Sequence, residues 1–328
     1  MKNTKTVLIP VAMGRDGQAV LEARPDIRIV RYHPSIAVPE FHEILRDAAG
    51  VALSYTRFGA PEVSAAPLLQ VAARIGVGLD TVDVPALTAG GIPLFVVGTA
   101  NARSVAEHAM FLMFALAKRA TEMDRRVRTG AGHERLSGLG GEIHGKTVLV
   151  VGFGRIGSRI APMCRALGMT VLVHDPYKPA AAVRDAGFEP VAELGAALPR
   201  TDFVTIHCPK NAETVGLFGA ARLAAMKPGA FLVNTARGGI VDEAALTEAL
   251  RSGHLAGAGL DVYDPEPPPA SHPLLQMENV LSSPHMAGVT AESVAAMAVA
   301  TAENILGVLD GTPNLNNVIN PEALNVRV

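Results

Sequence analysis

The sequence has no tryptophan, only two cysteines and no extended run of basic residues. Cys164 and Cys208 are too few for a disulfide framework, and the amino-terminal residues lack the apolar core of a secretory signal, so we expect a cytoplasmic protein. The 29 lysine and arginine residues nearly balance the 31 aspartate and glutamate residues. The resulting formal net charge of −2 predicts no nucleic-acid partner, because such partners bind concentrated basic surfaces.

Long apolar segments are also scarce, although the overall composition is that of a globular protein. The longest uninterrupted run, 109–117, has about half the length that spans a bilayer, so it predicts a buried helix and no membrane partner. Hydrophobic residues make up 49% of the chain and charged residues 18%, which is ordinary for a folded protein. A chain of 328 residues is long enough for two domains with separate cores.

A glycine-rich turn separates a strand-like run, Val148–Val151, from a helical pattern over 155–167. Gly152 permits the tight turn, Gly154 lets a pyrophosphate approach the backbone, and Gly157 lets the helix pack on the strand. The helix N-terminus would add amide donors and the positive end of its dipole. This G-x-G-x-x-G pattern therefore predicts a dinucleotide site, whereas the alternative is an ordinary glycine-rich turn.

An acidic residue, Asp175, ends the next strand-like run, Thr170–His174. It lies roughly 20 residues beyond the turn, the spacing at which a carboxylate accepts hydrogen bonds from an adenosine ribose. Strand, turn, helix, second strand and acid all agree with one another. The sequence therefore predicts NAD as the cofactor and no metal.

Strand-like and helical runs alternate along the chain, which predicts the α/β class. We expect two Rossmann-like domains, a doubly wound parallel sheet for NAD and a smaller flavodoxin-like sheet. Ser104-Val-Ala-Glu107 has the pattern of a capping box that opens a helix to about Lys118, so we assign Glu107 and His108 structural roles. A last helix should open at Thr290, and the glycine-rich stretch 128–145 should form an exposed arm.

Three polar residues follow successive strand-like runs of the cofactor domain, where chemistry is expected in such sheets. The guanidinium of Arg237 can pair bidentately with the carboxylate of a 2-oxo acid. His285 can give a proton to a developing alkoxide, and Glu266 would favour its imidazolium form. Each residue alone has an ordinary structural explanation, but together they predict a catalytic group.

These residues stand in motifs by which the chain resembles the D-2-hydroxyacid dehydrogenase family, from about Val51 to the C-terminus. Besides the nucleotide turn, the motifs are Arg74-Ile-Gly-Val-Gly-Leu-Asp80-Thr-Val-Asp83, Asn101-Ala-Arg-Ser-Val-Ala-Glu-His108, His207-Cys-Pro-Lys-Asn-Ala-Glu-Thr214, Asn234-Thr-Ala-Arg-Gly-Gly-Ile-Val-Asp242, Gly259-Leu-Asp-Val-Tyr263 and Ser283-Pro-His-Met-Ala-Gly288. The resemblance implies the catalytic roles given above to Arg237, Glu266 and His285. We take Asp80 and Asp83 as helix caps.

The resemblance also implies the remaining site residues and the domain boundaries. Substrate contacts are expected from Ser54, Tyr55, Val77, Gly78, Arg237 and His285, with the amides of Val77 and Gly78 on the substrate carboxylate. Cofactor contacts are expected from Gly152, Gly154, Arg155, Ile156, Gly157, Asp175, His207, Cys208, Pro209, Thr214, Thr235, Ala236, Arg237, Asp261, His285 and Gly288. Because the last helix returns to the first domain in this family, residues 1–102 with 289–328 should bind substrate and 103–288 should bind NAD. The family also suggests a homodimer through the cofactor domains.

The activity implied is hydride transfer between nicotinamide and C2 of a small 2-hydroxy or 2-oxo acid, of the glyoxylate or hydroxypyruvate class. Phosphoglycerate dehydrogenases of this family usually carry arginine at the position of Leu53, which we expect to form an apolar wall with Ser54 and Tyr55. Formate dehydrogenases place glutamine where Glu266 stands, which argues against that activity. A phosphoglycerate dehydrogenase that uses Arg57, and a corepressor-like NAD-sensing protein, remain the alternatives.

Overall fold

The computed structural model describes residues 4–133 and 138–325, and the chain forms two compact units. One unit is Met1–Asn101 with Val289–Val328, and the other is Ala102–Gly288. The strands are β1 (Lys5–Pro10), β2 (Ile27–Tyr32), β3 (Ala48–Leu53), β4 (Val71–Arg74), β5 (Leu94–Phe95), β6 (Thr147–Val151), β7 (Thr170–His174), β8 (Glu189–Pro190), β9 (Phe203–Ile206), β10 (Ala230–Asn234), β11 (Leu255–Leu260) and β12 (Val280–Ser282). The α-helices are α1 (Arg15–Glu22), α2 (Val38–Leu45), α3 (Ala60–Ala65), α4 (Val84–Ala89), α5 (Ala102–Ala117), α6 (Ala120–Arg128), α7 (Gly157–Ala166), α8 (Ala180–Asp185), α9 (Leu194–Ala197), α10 (Ala220–Ala225), α11 (Glu243–Arg251) and α12 (Ala291–Leu309).

The first unit is built on a parallel sheet with strand order β2-β1-β3-β4-β5. Both faces are buried, because Leu8 of β1 packs into one apolar cluster while Val7 and Ile9 pack into another. A sheet of this kind needs helices on both faces, which explains the near-continuous apolar strands. The order is that of flavodoxin-like folds, with the switch point between β1 and β3.

Helix α12 belongs to the first unit. Among the described residues, it is the helix whose length and apolar composition would allow it to cross a membrane. Its buried residues Ala298, Ala302 and Ile305 belong to a core cluster with β1 and β4, so it is a core helix here. Helix α1 packs on it so closely that a Cβ atom on Gly17 would lie 2.2 Å from the carbonyl oxygen of Ala298. The side chain of Thr290 caps α12 as predicted, accepting from the amide of Ser293.

The second unit is a parallel sheet with strand order β12-β11-β10-β9-β6-β7-β8. Along β6, Val148 and Val150 face one core cluster and Leu149 and Val151 face the other, so both sides of the sheet are covered. The strand order reverses between β6 and β9, which is the switch point where doubly wound folds bind ligands. The predicted fold class is confirmed.

One local prediction differs from the structure, and one helix was not predicted. Helix α5 begins at Ala102, so Ser104 lies inside the first turn and the predicted capping box is wrong. The extra helix α6 precedes the glycine-rich arm, whose residues 134–137 lie outside the described residues. The sequence pattern failed at α5 because the helix begins at a buried residue, Ala102, two positions before the local cap signal at Ser104.

Candidate active site

The turn between β6 and α7 requires glycine for steric reasons that the structure makes explicit. Gly152 has a φ of +92°, and a Cβ atom there would lie 2.7 Å from the amide nitrogen of Cys208. A Cβ atom on Gly157 would lie 1.9 Å from the carbonyl oxygen of Gly152. Gly152 therefore allows β6 to approach the end of β9, and Gly157 allows the helix to approach the strand.

Gly154 differs from the other two glycines, because nothing lies within 4 Å of the position of its Cβ atom. Gly154 and Arg155 are exposed and Ile156 is half-buried. The protein itself therefore does not require glycine at 154. An open backbone at the start of α7 fits the close approach of a pyrophosphate, which is the function expected of the second glycine.

The carboxylate of Asp175 is fixed in place beside this turn. It accepts one hydrogen bond from the amide of Phe153 at 2.7 Å and another from the amide of Tyr177 at 2.9 Å. Each oxygen keeps acceptor capacity, because a carboxylate offers about four lone-pair sites. The residue is therefore oriented by the backbone of the glycine-rich turn and can accept from the hydroxyls of a ribose.

The residues after β9 form the other side of the switch point. His207 donates its amide to the carbonyl of Val151 at 2.7 Å, and its Nε2 lies 2.8 Å from Oγ1 of Thr205. Burial lowers the pKa of His207 to about 3, so its ring is neutral. Burial likewise raises the pKa of the Cys208 thiol to about 11. Both residues therefore present uncharged surfaces, which suits packing against an adenosine.

The loop after β9 is closed by Thr214, whose hydroxyl donates to the carbonyl of Pro209 at 2.6 Å and accepts from the amide of Asn211 at 2.8 Å. Nδ1 of His207, near the start of this segment, is buried and has no hydrogen-bond partner among the described residues. Oγ1 of Thr235, which follows β10, is also buried and also has no hydrogen-bond partner among the described residues. Buried polar atoms of this kind normally have a partner, so both fit a site for a ligand.

The turn after β10 orients Arg237. Asn234 donates its side-chain amide to the carbonyl of Arg237 at 2.9 Å and accepts from the amide of Ala236 at 3.0 Å. Nη1 of Arg237 donates to the carbonyl of Ala236 at 2.6 Å. Gly238 packs against the strand-end backbone, where a Cβ atom would lie 1.8 Å from the carbonyl oxygen of Tyr263. The arginine is thus held on a turn that cannot shift easily.

His285 and Glu266 form a direct pair, with His285 Nδ1 2.7 Å from Glu266 Oε2. The other carboxylate oxygen accepts from the amide of Tyr263 at 2.9 Å. The histidine side chain is 46% exposed, so its second ring nitrogen is within reach of a ligand. A carboxylate that binds Nδ1 fixes the ring and leaves Nε2 for proton transfer.

The electrostatics of the pair favour a protonated histidine. The hydrogen bond to Glu266 raises the pKa of His285 despite partial burial, and the charges of Glu266 and Asp261 act in the same direction. Burial alone would raise the pKa of Glu266, but the hydrogen bonds from His285 and the Tyr263 amide hold it below its ordinary value. The positive charge of Arg237 lowers the pKa of both Glu266 and His285, so the three predicted catalytic residues lie close together.

Asp261 lies under the histidine turn and is 1% exposed. Its Oδ1 accepts from the amide of Met286 at 2.9 Å, and its Oδ2 accepts from the amide of Ala287 at 2.8 Å. The carbonyl of Asp261 accepts from the amide of His285 at 2.8 Å. The carboxylate therefore holds the segment that runs to Gly288, and the contact of Asp261 with the cofactor stays a prediction.

In the first unit, the residues predicted to contact substrate follow β3 and β4. Ser54 is half-buried, with no partner for its hydroxyl among the described residues, and Tyr55 is 76% exposed. Leu53 has no exposed surface and belongs to the core, so its predicted place in a substrate wall is wrong. Both faces of this sheet are buried, and Leu53 lies on the same face as Val51, in the core cluster that also contains Phe58 and Leu87. Arg57 is exposed.

Sequence reasoning missed Arg74 as part of this region. Its guanidinium donates to the carbonyls of Gly78 at 3.1 Å, Leu53 at 3.1 Å and Ile75 at 3.3 Å. The cation also lies 5.7 Å from the ring centroid of Tyr55. Arg74 thus binds the segment containing Val77 and Gly78 to the end of β3. The sequence feature that could have identified Arg74 as a site residue is its position as the last residue of strand β4.

Comparison with known proteins identifies the class of this fold and site. Residues 110–287 match the family described as D-isomer specific 2-hydroxyacid dehydrogenase, NAD binding domain. This match covers more than half of the chain, and the chain belongs to this family.

Among the described residues, no group of three or more histidine, cysteine or acidic side chains is arranged to hold a metal ion.

Individual relatives extend the similarity to nearly the whole chain. The D-3-phosphoglycerate dehydrogenase of Archaeoglobus fulgidus is 40% identical over 276 residues, which cover 84% of this chain and 52% of the relative. The chain thus spans about half the length of the curated relatives it matches. The TT0316 protein of Thermus thermophilus superposes with a TM-score of 0.85 at 33% identity, covering 96% of this chain and 99% of that one. The D-lactate dehydrogenase of Aquifex aeolicus, solved with NAD and lactic acid, has a TM-score of 0.82 at 26% identity, covering 96% and 99%.

Proposed function

We propose that this protein is an NAD-dependent D-2-hydroxyacid dehydrogenase. The observation that carries the proposal is the 2.7 Å hydrogen bond between Nδ1 of His285 and Oε2 of Glu266. The charge of Arg237 acts on both groups, and all three residues belong to the same unit as the nucleotide turn. A proton donor, a carboxylate clamp and a dinucleotide site are the parts that reversible reduction of a 2-oxo acid needs. Membership of the family supports the same activity.

The residues divide the work between binding and proton transfer. When bound, the nicotinamide supplies or accepts the hydride at C2 of the acid. Arg237 pairs with the substrate carboxylate, while Glu266 holds Nδ1 of His285 and keeps Nε2 aimed at the oxygen on C2. In reduction His285 gives its proton to that oxygen, and in oxidation the same nitrogen removes the proton. The raised pKa of His285 favours the acid form required for reduction.

The cofactor is held by the turn of Gly152, Gly154 and Gly157 and by the residues after β7, β9 and β10. Arg155, Ile156 and the first amides of α7 receive the phosphates. Asp175 accepts from the ribose hydroxyls and repels a 2′-phosphate. The remaining contacts are assigned to His207, Cys208, Pro209, Thr214, Thr235, Ala236, Arg237, Asp261, His285 and Gly288. Residues 103–288 are therefore the proposed NAD-binding domain.

The first domain, 1–102 with 289–328, is the proposed substrate domain. Arg74 holds the segment of Val77 and Gly78, whose amides are assigned to the substrate carboxylate. Ser54 and Tyr55 are assigned to the variable group attached to C2, because they follow β3 beside this segment. Hydroxyls and an aromatic ring suit a small uncharged or hydroxylated group, so we propose a substrate of the glyoxylate or hydroxypyruvate class.

A phosphorylated substrate is the second candidate, and the names of the relatives favour it, because several are D-3-phosphoglycerate dehydrogenases. A phosphate needs a cation when it leaves water. Arg74 directs donors of its guanidinium to three backbone carbonyls, which leaves Arg57 as the exposed cation of this segment among the described residues. We therefore expect weaker turnover with the phosphorylated acid.

The deciding experiment measures NADH oxidation with glyoxylate, hydroxypyruvate and 3-phosphohydroxypyruvate. The proposal expects a higher kcat/KM for the unphosphorylated acids. A higher kcat/KM for 3-phosphohydroxypyruvate, together with loss of that preference in Arg57→Ala, would establish the second candidate. No turnover of any 2-oxo acid, with NADH still bound, would favour an NAD-sensing interaction protein.

We further propose a cytoplasmic homodimer that associates through the cofactor domains and has no nucleic-acid or membrane partner. The near-neutral net charge of −2 supports the absence of a nucleic-acid partner. Light scattering during gel filtration tests the dimer, with a mass of twice 34.2 kDa expected. A mass of one chain at working concentration would reject it.

A further inference from the structure

Helix α5 contributes a histidine to the support of the catalytic turn, although its sequence context suggested a purely structural role. His108 Nε2 lies 2.9 Å from the hydroxyl of Ser283, two residues before His285. The same hydroxyl donates to Oδ1 of Asp261 at 2.6 Å. His108 Nε2 is itself 4.0 Å from that carboxylate oxygen. The three side chains therefore form a continuous chain from α5 to the buried end of β11.

The donors and acceptors of this chain have one consistent direction. A carboxylate only accepts hydrogen bonds, and that of Asp261 already receives the amides of Met286 and Ala287. Ser283 has a single proton, which goes to Asp261, so its oxygen faces His108 as an acceptor. Nε2 of His108 must then carry hydrogen and donate. Loss of this donor would leave the serine oxygen without its partner and free the hydroxyl to rotate away from Asp261.

The turn that these groups support has a backbone conformation that residue types other than glycine rarely adopt. His285 has a φ of +52°. Such a conformation persists only where the surroundings impose it. Here they do so through the Asp261 carbonyl on the His285 amide and the Asp261 carboxylate on the next two amides. The orientation of the Asp261 carboxylate therefore sets the orientation of His285.

We infer that His108 is a positioning residue for the proton-donating turn, acting through the hydroxyl of Ser283 and the carboxylate of Asp261. This inference rests on the proposed function for its effect on turnover, but its structural part does not. The hydrogen bond of the His108 ring goes to Ser283 and not to either member of the catalytic pair. Its main effect should therefore appear in the alignment of His285, and a smaller effect on cofactor binding should follow through Asp261.

The test compares His108→Leu, which removes the donor, with His108→Gln, whose side-chain amide keeps a donor near the position of Nε2. We expect His108→Leu to lower kcat for reduction about tenfold, the size of coupling found between groups of one hydrogen-bond network. The KM of the acid should change little, and the Kd of NADH should rise by a smaller factor than kcat falls. His108→Gln should retain most of kcat. An equal loss in both variants would overturn the inference, because packing alone would then explain it.

Ser283→Ala interrupts the chain at its centre and should match His108→Leu. The double variant His108→Leu/Ser283→Ala should be no slower than either single variant, because both remove the same connection. Losses that multiply would show two independent effects and overturn the inference. Thermal unfolding of each variant establishes that the unit remains folded during these measurements.

A titration of the His285 ring by NMR tests the inference without turnover. The charges that act on His285 are those of Glu266, Arg237 and Asp261, and the variants alter none of them. A displaced ring loses the hydrogen bond to Glu266, so the pKa of His285 should fall towards its ordinary value in His108→Leu and stay raised in His108→Gln. An unchanged titration in His108→Leu would overturn the inference even if kcat fell. If the wild-type protein reduces no 2-oxo acid, the proposed function fails and this titration still decides the role of His108.

Discussion

The carbonyl oxygen of Gly152 lies so close to Gly157 that a Cβ atom at 157 would come within 1.9 Å of it. Gly154, between them, has open space around its Cβ position. We expect Gly157→Ala to destabilise the fold, because backbone must move to admit the methyl group. Gly154→Ala should unfold at the wild-type temperature but bind NADH at least about tenfold more weakly, because the methyl group blocks the pyrophosphate.

Calorimetry and NADH fluorescence titration measure the two effects separately. Gly195→Ala is the control, because Gly195 is exposed and also has nothing within 4 Å of its Cβ position. If Gly154→Ala bound NADH as tightly as Gly195→Ala, the cofactor would not approach this backbone, and the assignment of the turn would be wrong.

Asp175 should determine the preference for NADH over NADPH. Its carboxylate is fixed by the amides of Phe153 and Tyr177, and a 2′-phosphate would meet a like charge at a cost of several kcal/mol. Asp175→Asn keeps an acceptor for an amide and removes the charge, so the ratio of kcat/KM for NADPH to that for NADH should rise at least about tenfold. Initial rates with both cofactors check this. Equal use of the two by the wild-type enzyme would exclude this role for Asp175.

Arg237 should act through bidentate pairing with the substrate carboxylate and not through charge alone. Arg237→Lys keeps the charge but loses the planar pair of donors, so the KM for the 2-oxo acid should rise about tenfold or more. The Kd of NADH should rise by a smaller factor, because lysine keeps the positive charge and the other cofactor contacts are unchanged. Arg222→Lys, at an exposed position of α10, serves as the control. Steady-state kinetics with a wild-type KM in Arg237→Lys would show that another group binds the carboxylate.

Glu266 should set the pH dependence of reduction. The hydrogen bond to Glu266 raises the pKa of His285 above its ordinary value, so the acid form persists to higher pH and the rate falls only as pH passes the raised value. Glu266→Gln removes the negative charge, and the falling limb of kcat against pH should move to lower pH. Glu278→Gln, at a surface ion pair with Arg125, should leave the profile unchanged. A limb that stays in place in Glu266→Gln would contradict the pairing.

Features encoded by local patterns were predictable from the sequence, and features created by packing were not. The alternation of strands and helices, the cap at Thr290 and the cap at Asp83, which accepts from the amide of Ala86, depend on neighbouring residues and were confirmed. Asp80, which was also predicted to cap a helix, lies in the turn before α4 and is not its N-cap. The start of α5 and the burial of Leu53 depend on tertiary packing, and both predictions were wrong. The contact of His108 with Ser283 joins residues 175 positions apart, so no local pattern contains it.

The most direct test of the account is the His285→Gln variant, measured for both NADH binding and turnover. Glutamine leaves the nucleotide turn intact but removes the group that gives its proton to the substrate oxygen. We predict that kcat for reduction falls by roughly 10²–10⁴-fold, the contribution of a general acid, while NADH still binds. A His285→Gln enzyme with near-normal kcat would contradict the central claim that this histidine, paired with Glu266, is the proton donor.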